Sequence, residues 1–328
     1  MKVLIVLHHR FELWNAPTWL VEKLRSDSPQ IEFVHLPTYD NVEQHLRDAE
    51  VAIAWSLRPE QFSVATRLRW VHSPAAAVHQ LLFPELVNSK VVLTNAREVH
   101  GPVVAEHVIA QIFALAKKIP QAVRMQEKHV WGQESMWTIR PRTREVAGAT
   151  VALIGLGSIG REVAKRASAL GMRVIAVREH PEKGAPDGVE RVFTTAHLDE
   201  VLSQADYVVL AAPITAATKG MMGAARIAKL KPEACLINVS RGPLVDEAAL
   251  ARAIREKKIG GAALDVFGEE PLPPESPLWD LENVLITPHS AAITEKLWER
   301  HYLLIRENLR RYMAGEPLLA VVNKTTGY

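Results

Sequence analysis

Hydrophobic residues in the first part of the chain are grouped in short runs, and segments with helical spacing separate them. The runs predict strands at residues 3–7, 31–36, 51–55, 70–72 and 91–93, and the intervening spacing predicts helices at 19–24, 41–47 and 58–66. The strands and helices alternate without the turn residues of β-hairpins. This alternation predicts a small α/β domain with a parallel sheet and crossover helices.

A long stretch with apolar residues at every third or fourth position comes next, and it predicts a helix that opens at residues 101–102. We place the start of a second domain at about residue 99, because this helix carries the chain from the first domain into the second. Glu106 and His107 lie on the helix, and we expect a surface or interface role for both. Residues 131–144 are aromatic and basic without helical periodicity, which predicts a loop, and residues 145–148 re-enter a strand.

Residues 151–160 combine a buried-strand pattern with closely spaced glycines. Four apolar residues precede Gly155, Gly157 and Gly160, which have the spacing G-x-G-x-x-G, and helical spacing follows at 161–170. In such a turn the first glycine allows the sharp bend, the second lets the backbone approach a pyrophosphate, and the third lets helix and strand pack closely. The free amides of the first helical turn face the anion. Strand, turn and helix in this order predict a dinucleotide-binding site.

The rest of the chain continues the alternation, with strands predicted at residues 173–177, 207–212, 235–239, 261–264 and 284–286 and helices at 246–256 and 294–313. Arg241, Glu270 and His289 follow three of these strands closely. Ligands of parallel α/β sheets bind beyond the carboxyl ends of the strands. A guanidinium fork suits a carboxylate, and an imidazole can transfer a proton. We therefore expect these three side chains to form a site beside the nucleotide.

Composition limits the class of protein. The 328 residues are 48% hydrophobic and 23% charged with a net charge of +2, which indicates a globular enzyme without a general basic surface for nucleic acid. The single cysteine, Cys235, lies in an apolar run, so we expect a buried thiol and no disulfide. We expect a cytoplasmic protein, because the first residues lack a signal-peptide pattern and no apolar stretch is long enough to span a bilayer. No metal site is predicted.

Taken together, the motifs closely resemble the D-isomer-specific 2-hydroxyacid dehydrogenase family, in particular its glyoxylate/hydroxypyruvate reductases. The resemblance covers nearly the whole chain in the family's order. The matching stretches are residues 95–97 with 106–107, 155–160, 211–213, 238–246, 263–267 with 270–271, and 288–289.

The resemblance implies two doubly wound parallel-sheet α/β domains, Rossmann-like and flavodoxin-like, with the active site in a cleft between them. Residues 1–98 plus 294–328 would form the substrate-binding, catalytic domain, and residues 99–293 the dinucleotide-binding domain. It also implies a homodimer, with the long helix and residues 131–144 as the expected interface.

The implied reaction is the NAD(P)H-dependent reduction of a small 2-keto acid to the D-2-hydroxy acid. His289 would be the general acid/base, Glu270 would hold the imidazole and favour its charged form, and Arg241 would bind the substrate carboxylate and polarise the carbonyl. The cofactor-binding residues would be Gly155, Gly157, Ser158, Ile159, Gly160, Arg178, Pro213 and Asp265. For Asp265 we keep a second interpretation, a simple cap of its strand end.

Two positions depart from the family pattern. Arg178 stands where an acidic residue often binds the adenosine ribose, so we predict NADP as the preferred cofactor with NAD possible, although the adjacent Glu179 argues the other way. In the loop at residues 74–78, Ala77 replaces a glycine, which is unfavourable if the position needs a positive φ. Ala76 and Ala77 remain the predicted amide donors to the substrate carboxylate.

Trp55, Arg58 and Trp137 are candidates for substrate selectivity. Two other functions stay open. One is a dehydrogenase of a larger or phosphorylated 2-hydroxy acid, such as 3-phosphoglycerate. The other is a dinucleotide-sensing binding protein similar to the corepressors built on this fold. Steady NADPH oxidation with a keto acid would separate an enzyme from a sensor.

Overall fold

The computed structural model describes residues 1–327, so the last residue of the predicted catalytic domain, Tyr328, lies outside the described residues. Within residues 1–327 the chain forms two all-parallel sheets, one of five strands and one of seven. It divides into two compact units. The N-terminal unit contains Met1–His100 and the segment from Thr294 onward, and the central unit contains Gly101–Ile293.

The sheet of the N-terminal unit has the order β2-β1-β3-β4-β5, which is that of flavodoxin-like doubly wound folds. Its strands lie within two residues of the predicted bounds, and two of them are buried along their whole length, as expected when helices cover both faces of a parallel sheet. The strands are β1 Lys2–Val6, β2 Glu32–His35, β3 Val51–Ala54, β4 Trp70–His72 and β5 Val92–Thr94.

The helices of this unit include one from the far end of the chain. Helix α12 (Leu297–Ala314) packs Ile305 and Leu309 into the cluster that contains Ile5 and Trp70, and it ends at Gly315 in a left-handed cap with φ +68°. The other helices are α1 Thr18–Asp27, α2 Val42–Leu46, α3 Pro59–Ser63 and α4 Pro84–Val87.

The sheet of the central unit has the order β12-β11-β10-β9-β6-β7-β8. Strand β6 precedes the glycine motif and lies where the strand order reverses, which is the switch point at which doubly wound sheets bind nucleotides. The fold class is the predicted one. The strands are β6 Thr150–Ile154, β7 Arg173–Val177, β8 Arg191–Phe193, β9 Tyr207–Leu210, β10 Cys235–Asn238, β11 Gly261–Leu264 and β12 Val284–Ile286.

The helices beside these strands differ from expectation in the segment before β6. The predicted loop at 131–144 contains a short helix, and residues 145–148 are not a strand, because β6 begins at Thr150. Neither this helix nor strand β8 was predicted. None of the residues of the short helix is buried, so no apolar stripe marks it. The helices are α6 Ile119–Glu127, α7 Gln133–Thr138, α8 Ser158–Ala169, α9 Leu198–Gln204, α10 Ala224–Ile227 and α11 Glu247–Arg255.

Helix α5 (Arg97–Ala116) begins four residues before the predicted start and contains Pro102. By length and composition alone it could cross a membrane, contrary to the expectation that no such stretch exists. More than half of its most apolar window is buried, and Val108 and Ile112 belong to the core cluster of the central unit. A buried core helix passes the same test, and its packing supports that interpretation here.

Candidate active site

The glycine turn after β6 has the geometry that its spacing predicts. Gly155 has φ +103°, and an added Cβ would lie 2.6 Å from the backbone of Ala211. A Cβ on Gly160 would collide with the carbonyl oxygen of Gly155. Both glycines are therefore required by the packing of the protein itself.

Gly157 differs, because no protein atom lies within 4 Å of the position that its Cβ would occupy. Its φ of −81° is open to any residue, so neither packing nor backbone conformation requires a glycine there. Gly157 is the N-cap of the twelve-residue helix α8, with Ser158 as the first helical residue and Ile159 next. A glycine that only a ligand needs, at a helix N-terminus, fits the pyrophosphate of a dinucleotide.

Arg178 directly follows β7, where the adenosine ribose is expected to bind. Its backbone N–H donates to the carbonyl of Phe193 at 3.1 Å. Arg178 as a whole is half-buried, and its guanidinium has no ion pair within residues 1–327. On the other side of the switch point, Pro213 is exposed, and the neighbouring Ala212 carbonyl accepts a hydrogen bond from the Ser240 hydroxyl.

Arg241 is positioned by a turn that Asn238 closes at the end of β10. The Asn238 amide donates to the Arg241 carbonyl at 3.0 Å, and Asn238 Oδ1 accepts from the Ser240 N–H at 3.1 Å. The guanidinium donates from Nη1 to the Ser240 carbonyl at 2.6 Å. Burial lowers the pKa of Arg241, and the carboxylate of Glu270 opposes that effect. The other nitrogens of the fork remain available to bind an anion.

Gly242 brings the Arg241 turn against the loop that carries Glu270. A Cβ on Gly242 would overlap the backbone of Phe267 and Gly268, so the two loops are in direct backbone contact. The Phe267 N–H in turn donates to Glu270 Oε1 at 2.9 Å, which fixes one carboxylate oxygen and leaves the other to a partner.

That partner is His289. Its Nδ1 donates to Glu270 Oε2 at 2.6 Å. The side chains are 49% and 35% exposed, so the pair is accessible. Because Nδ1 is engaged, Nε2 is the ring nitrogen that can exchange a proton with a ligand. His289 has φ +49°, a left-handed conformation that is uncommon for a side chain other than glycine.

Asp265 holds the turn that carries His289. Its carboxylate accepts from the Thr287 hydroxyl at 2.6 Å and from the N–H groups of Ser290 and Ala291 at 2.9 and 3.0 Å, and its carbonyl accepts from the His289 N–H at 2.9 Å. Asp265 is 1% exposed. This geometry supports the interpretation of Asp265 as a structural cap, and its predicted contact with the cofactor stays a prediction.

His107 and Glu106 separate in the structure. Glu106 is exposed and pairs with Arg166 at 3.3 Å, as expected of a surface residue. His107 is 21% exposed, and its Nε2 lies 3.1 Å from the Thr287 hydroxyl, so its side chain is turned toward the inside of the unit and not toward open solvent. The alternative of an interface role stays a prediction. The sequence did not mark this face as buried, because Gln111, four residues further along the same helix face and 2% exposed in the structure, is itself polar.

The loop at 74–78 belongs to the N-terminal unit. Ala77 is not among the residues with positive φ, so the missing glycine causes no backbone strain. The Ala76 carbonyl accepts from the Asn95 amide at 2.6 Å, and the Ala75 carbonyl accepts from the Ala96 N–H at 3.1 Å. The N–H groups of Ala76 and Ala77 have no acceptor within the described part of the chain, so both remain candidate donors to a ligand.

Among the other predicted residues, Cys235 is buried as a free thiol, as expected. Trp55 donates from its indole to the Trp14 carbonyl at 3.0 Å and packs edge-on against Trp14 and Trp298. Its ring is therefore part of an aromatic cluster, and its place in substrate selection stays a prediction. Trp137 is 65% exposed beneath the guanidinium of Arg142.

Comparisons with known proteins agree with this geometry. The family model described as "D-isomer specific 2-hydroxyacid dehydrogenase, NAD binding domain" matches residues 109–291. A glyoxylate reductase from Korarchaeum cryptofilum is 32% identical over 295 residues, which is 88% of this chain and 87% of that protein. A D-3-phosphoglycerate dehydrogenase from Methanocaldococcus jannaschii is 31% identical over 92% of this chain. The chain spans 57% of that protein's length, and about half the length of the other phosphoglycerate dehydrogenases it matches.

Solved structures give the same picture. A D-isomer specific 2-hydroxyacid dehydrogenase from Xanthobacter autotrophicus, in complex with NADPH, has a TM-score of 0.83 at 30% identity, covering 100% of this chain and 99% of that one. An NADPH-dependent glyoxylate/hydroxypyruvate reductase from Sinorhizobium meliloti, in complex with NADP, has a TM-score of 0.79 at 29% identity and the same coverage. The chain thus belongs to the D-isomer specific 2-hydroxyacid dehydrogenase family.

Proposed function

We propose that the protein reduces a small 2-keto acid, such as glyoxylate or hydroxypyruvate, to the D-2-hydroxy acid with NADPH. The observation that carries the proposal is the 2.6 Å contact between His289 and Glu270 at the strand ends where Arg241 also lies. This reduction needs a proton donor, a carboxylate that stabilises the charged form of that donor, and a guanidinium fork that binds the substrate carboxylate. The names of the relatives support the substrate class.

The roles follow from the contacts. Protonated His289 gives the proton on Nε2 to the carbonyl oxygen as negative charge develops there. The Glu270 carboxylate, bonded to Nδ1, stabilises the imidazolium before the transfer and orients the ring during it. When bound, a reduced nicotinamide would supply the hydride for C2, and Gly157 with the first turn of helix α8 would hold the pyrophosphate of the cofactor. Hydride and proton together convert the C=O bond into the H–C–O–H of the hydroxy acid.

Arg241 binds the substrate and polarises it. Its partly desolvated guanidinium interacts with an anion more strongly than an exposed one does, because the surrounding dielectric is lower. We further propose that the N–H groups of Ala76 and Ala77, which have no acceptor within residues 1–327, donate to the substrate carboxylate.

We propose NADPH as the preferred cofactor because the Arg178 guanidinium has no ion pair within residues 1–327 and can bind a 2′-phosphate. Two solved relatives hold NADPH or NADP. Replacing Arg178 by Gln removes one charge-assisted contact, which is expected to raise KM for NADPH by about 10- to 100-fold and to leave KM for NADH nearly unchanged. Arg255→Gln on helix α11 is the matched control. A wild-type preference for NADH would overturn this assignment.

The reaction itself is tested by NADPH oxidation with glyoxylate and hydroxypyruvate. His289→Asn is expected to lower kcat by about 10²- to 10⁴-fold. His129→Asn is the matched control, since His129 is exposed and has nearly the same left-handed φ, +54°. Tight dinucleotide binding without turnover on any keto acid would instead support a sensor. Turnover with 3-phosphoglycerate and NAD(P)⁺, in the absence of activity on the small acids, would support the phosphorylated substrate.

We also propose a homodimer through the segment from α6 to residue 144. Its apolar side chains are unusually exposed, with Trp131 at 91%, Trp137 at 65% and Val130 at 53%. Exposed aromatic residues close together are typical of protein interfaces. Sedimentation velocity checks the proposal, since a monomer at micromolar concentration would contradict it.

A further inference from the structure

His107 and Gln111 form a polar pair on helix α5 that the proposed reaction does not use, and they are 21% and 2% exposed. His107 Nε2 lies 3.1 Å from the Thr287 hydroxyl and 3.7 Å from Asp265 Oδ1. The Gln111 side-chain amide lies 3.1 Å from the same ring nitrogen and limits rotation of the imidazole. Of the other two partners, Thr287 lies in the turn that carries His289, and Asp265 holds that turn through its hydrogen bonds.

The direction of the hydrogen bonds follows from the carboxylate. Ionised Asp265 can only accept, so Thr287 gives its single hydroxyl proton to Oδ1, the contact of 2.6 Å. The lone pairs of the Thr287 oxygen then face His107 at 3.1 Å. A proton on Nε2 makes this second contact a hydrogen bond, and it requires that Gln111 turn its side-chain oxygen toward the ring in place of its amide nitrogen. That oxygen has no hydrogen-bond partner within residues 1–327 and is free to accept. In this arrangement His107 donates to Thr287, which donates to Asp265.

This chain of donors ends on the group that determines the conformation of the catalytic turn. Asp265 accepts from Thr287, Ser290 and Ala291 through its side chain and from His289 through its carbonyl. The left-handed backbone of His289, with φ +49°, persists only if such contacts over-determine it. A hydrogen bond donated by His107 to the Thr287 oxygen strengthens the hydrogen bond from Thr287 to Asp265, because consecutive hydrogen bonds polarise one another.

We propose that His107 is a positioning residue for His289 and acts through Thr287 and Asp265. The inference rests on the proposed function for the role of His289 in catalysis. It concerns how the His289 imidazole is oriented toward Glu270, so it can also be tested on the protein without substrate or cofactor.

The experiment compares two replacements of His107. His107→Leu removes the donor, and kcat is expected to fall about 10- to 100-fold while KM for NADPH changes less than about threefold. His107→Gln keeps an N–H donor at a similar reach and is expected to recover most of the activity. Glu106→Gln is the matched control, because it changes the adjacent residue on the exposed side of the same helix.

A second readout needs no turnover. The NMR resonance of the His289 Nδ1 proton in the protein alone reports the hydrogen bond to Glu270, and it is expected to move upfield in His107→Leu because a loosened turn lengthens that contact. His107→Gln and Glu106→Gln are expected to keep the wild-type chemical shift. A purely structural loss would reduce the folded fraction and leave the chemical shift of the folded protein unchanged.

The outcomes separate the positioning role from the proposed function. An unchanged kcat and an unchanged Nδ1-proton shift in folded His107→Leu overturn the inference, and so does a loss of activity in His107→Gln as large as that in His107→Leu. If His107→Leu does not fold, Thr287→Val against Thr287→Ser decides, because only serine keeps the hydroxyl. If wild-type protein reduces no keto acid but the Nδ1-proton shift still moves in His107→Leu, the proposed function fails and the positioning role stands.

Discussion

Gly242→Ala tests whether close backbone contact between two loops assembles the catalytic groups. The added Cβ would overlap the carbonyl carbon and oxygen of Phe267 and the nitrogen of Gly268, and an ordinary contact needs at least 3.4 Å. The atoms in contact on both sides are backbone atoms, so neither loop can relieve the overlap by rotating a side chain. The Glu270 loop must therefore move by more than about 1 Å.

Such a displacement is large compared with the contacts it disturbs. Glu270 accepts from Phe267 at 2.9 Å and from His289 at 2.6 Å. Lengthening the second contact by about 1 Å places it beyond hydrogen-bond range. Misplacement on this scale costs about 100-fold in rate, which corresponds to about 2.7 kcal/mol of activation free energy. The expected loss of unfolding free energy from overpacking is about 1–3 kcal/mol.

The assay is kcat/KM for NADPH oxidation with glyoxylate, measured on protein whose fold has been checked by circular dichroism. Gly223→Ala is the matched control, because its Cβ would meet its nearest neighbour at 3.6 Å, an ordinary contact in the same unit. The control is expected to retain nearly full activity. If folded Gly242→Ala kept kcat/KM within about threefold of wild type, the contact between the loops would not be what assembles the site.

Two further predictions concern cofactor binding and stability. Gly157→Val is expected to leave the unfolding free energy within about 0.5 kcal/mol of wild type and to raise the Kd for NADPH at least about tenfold, measured by fluorescence titration. An unchanged Kd would place the pyrophosphate elsewhere. Burial lowers the pKa of His72 to about 3, and burial with neighbouring His100 also lowers that of His301. Below about pH 6.5 the unfolded chain binds protons that the folded chain does not bind, so the free energy of unfolding decreases as the pH is lowered. Urea unfolding at about pH 5.5 should show about 1.4 kcal/mol less stability from His72 alone than at about pH 7.5. An equal urea midpoint at the two pH values would contradict the burial of this histidine.

Periodicity in the sequence was sufficient for most of the architecture. The strands of both sheets, apart from β8, were predicted within a few residues, because buried parallel strands are short apolar runs separated by helical spacing. Helix α7 was missed because it buries none of its residues, and an element without a buried face leaves no pattern.

For the candidate site, too, the sequence was sufficient for some features and not for others. Arg241, Glu270 and His289 could be selected because the carboxyl ends of parallel strands share one edge of a sheet, so positions far apart in sequence converge by topology. The direction of the His107 side chain could not be obtained in this way. Its partner Thr287 is 180 residues away in the sequence. Both residues adjoin apolar segments, and a surface residue can adjoin such a segment equally well.

By itself, therefore, the sequence determined the alternation of strands and helices, the dinucleotide turn and the identity of the residues at the strand ends. Each of these depends on local spacing or on a rule of sheet topology. Only the tertiary structure decided which glycines the packing requires and which it does not, that Asp265 caps the turn of His289, and that His107 faces inward. These depend on distances between atoms of separate elements, and residue order does not specify such distances until the chain is folded.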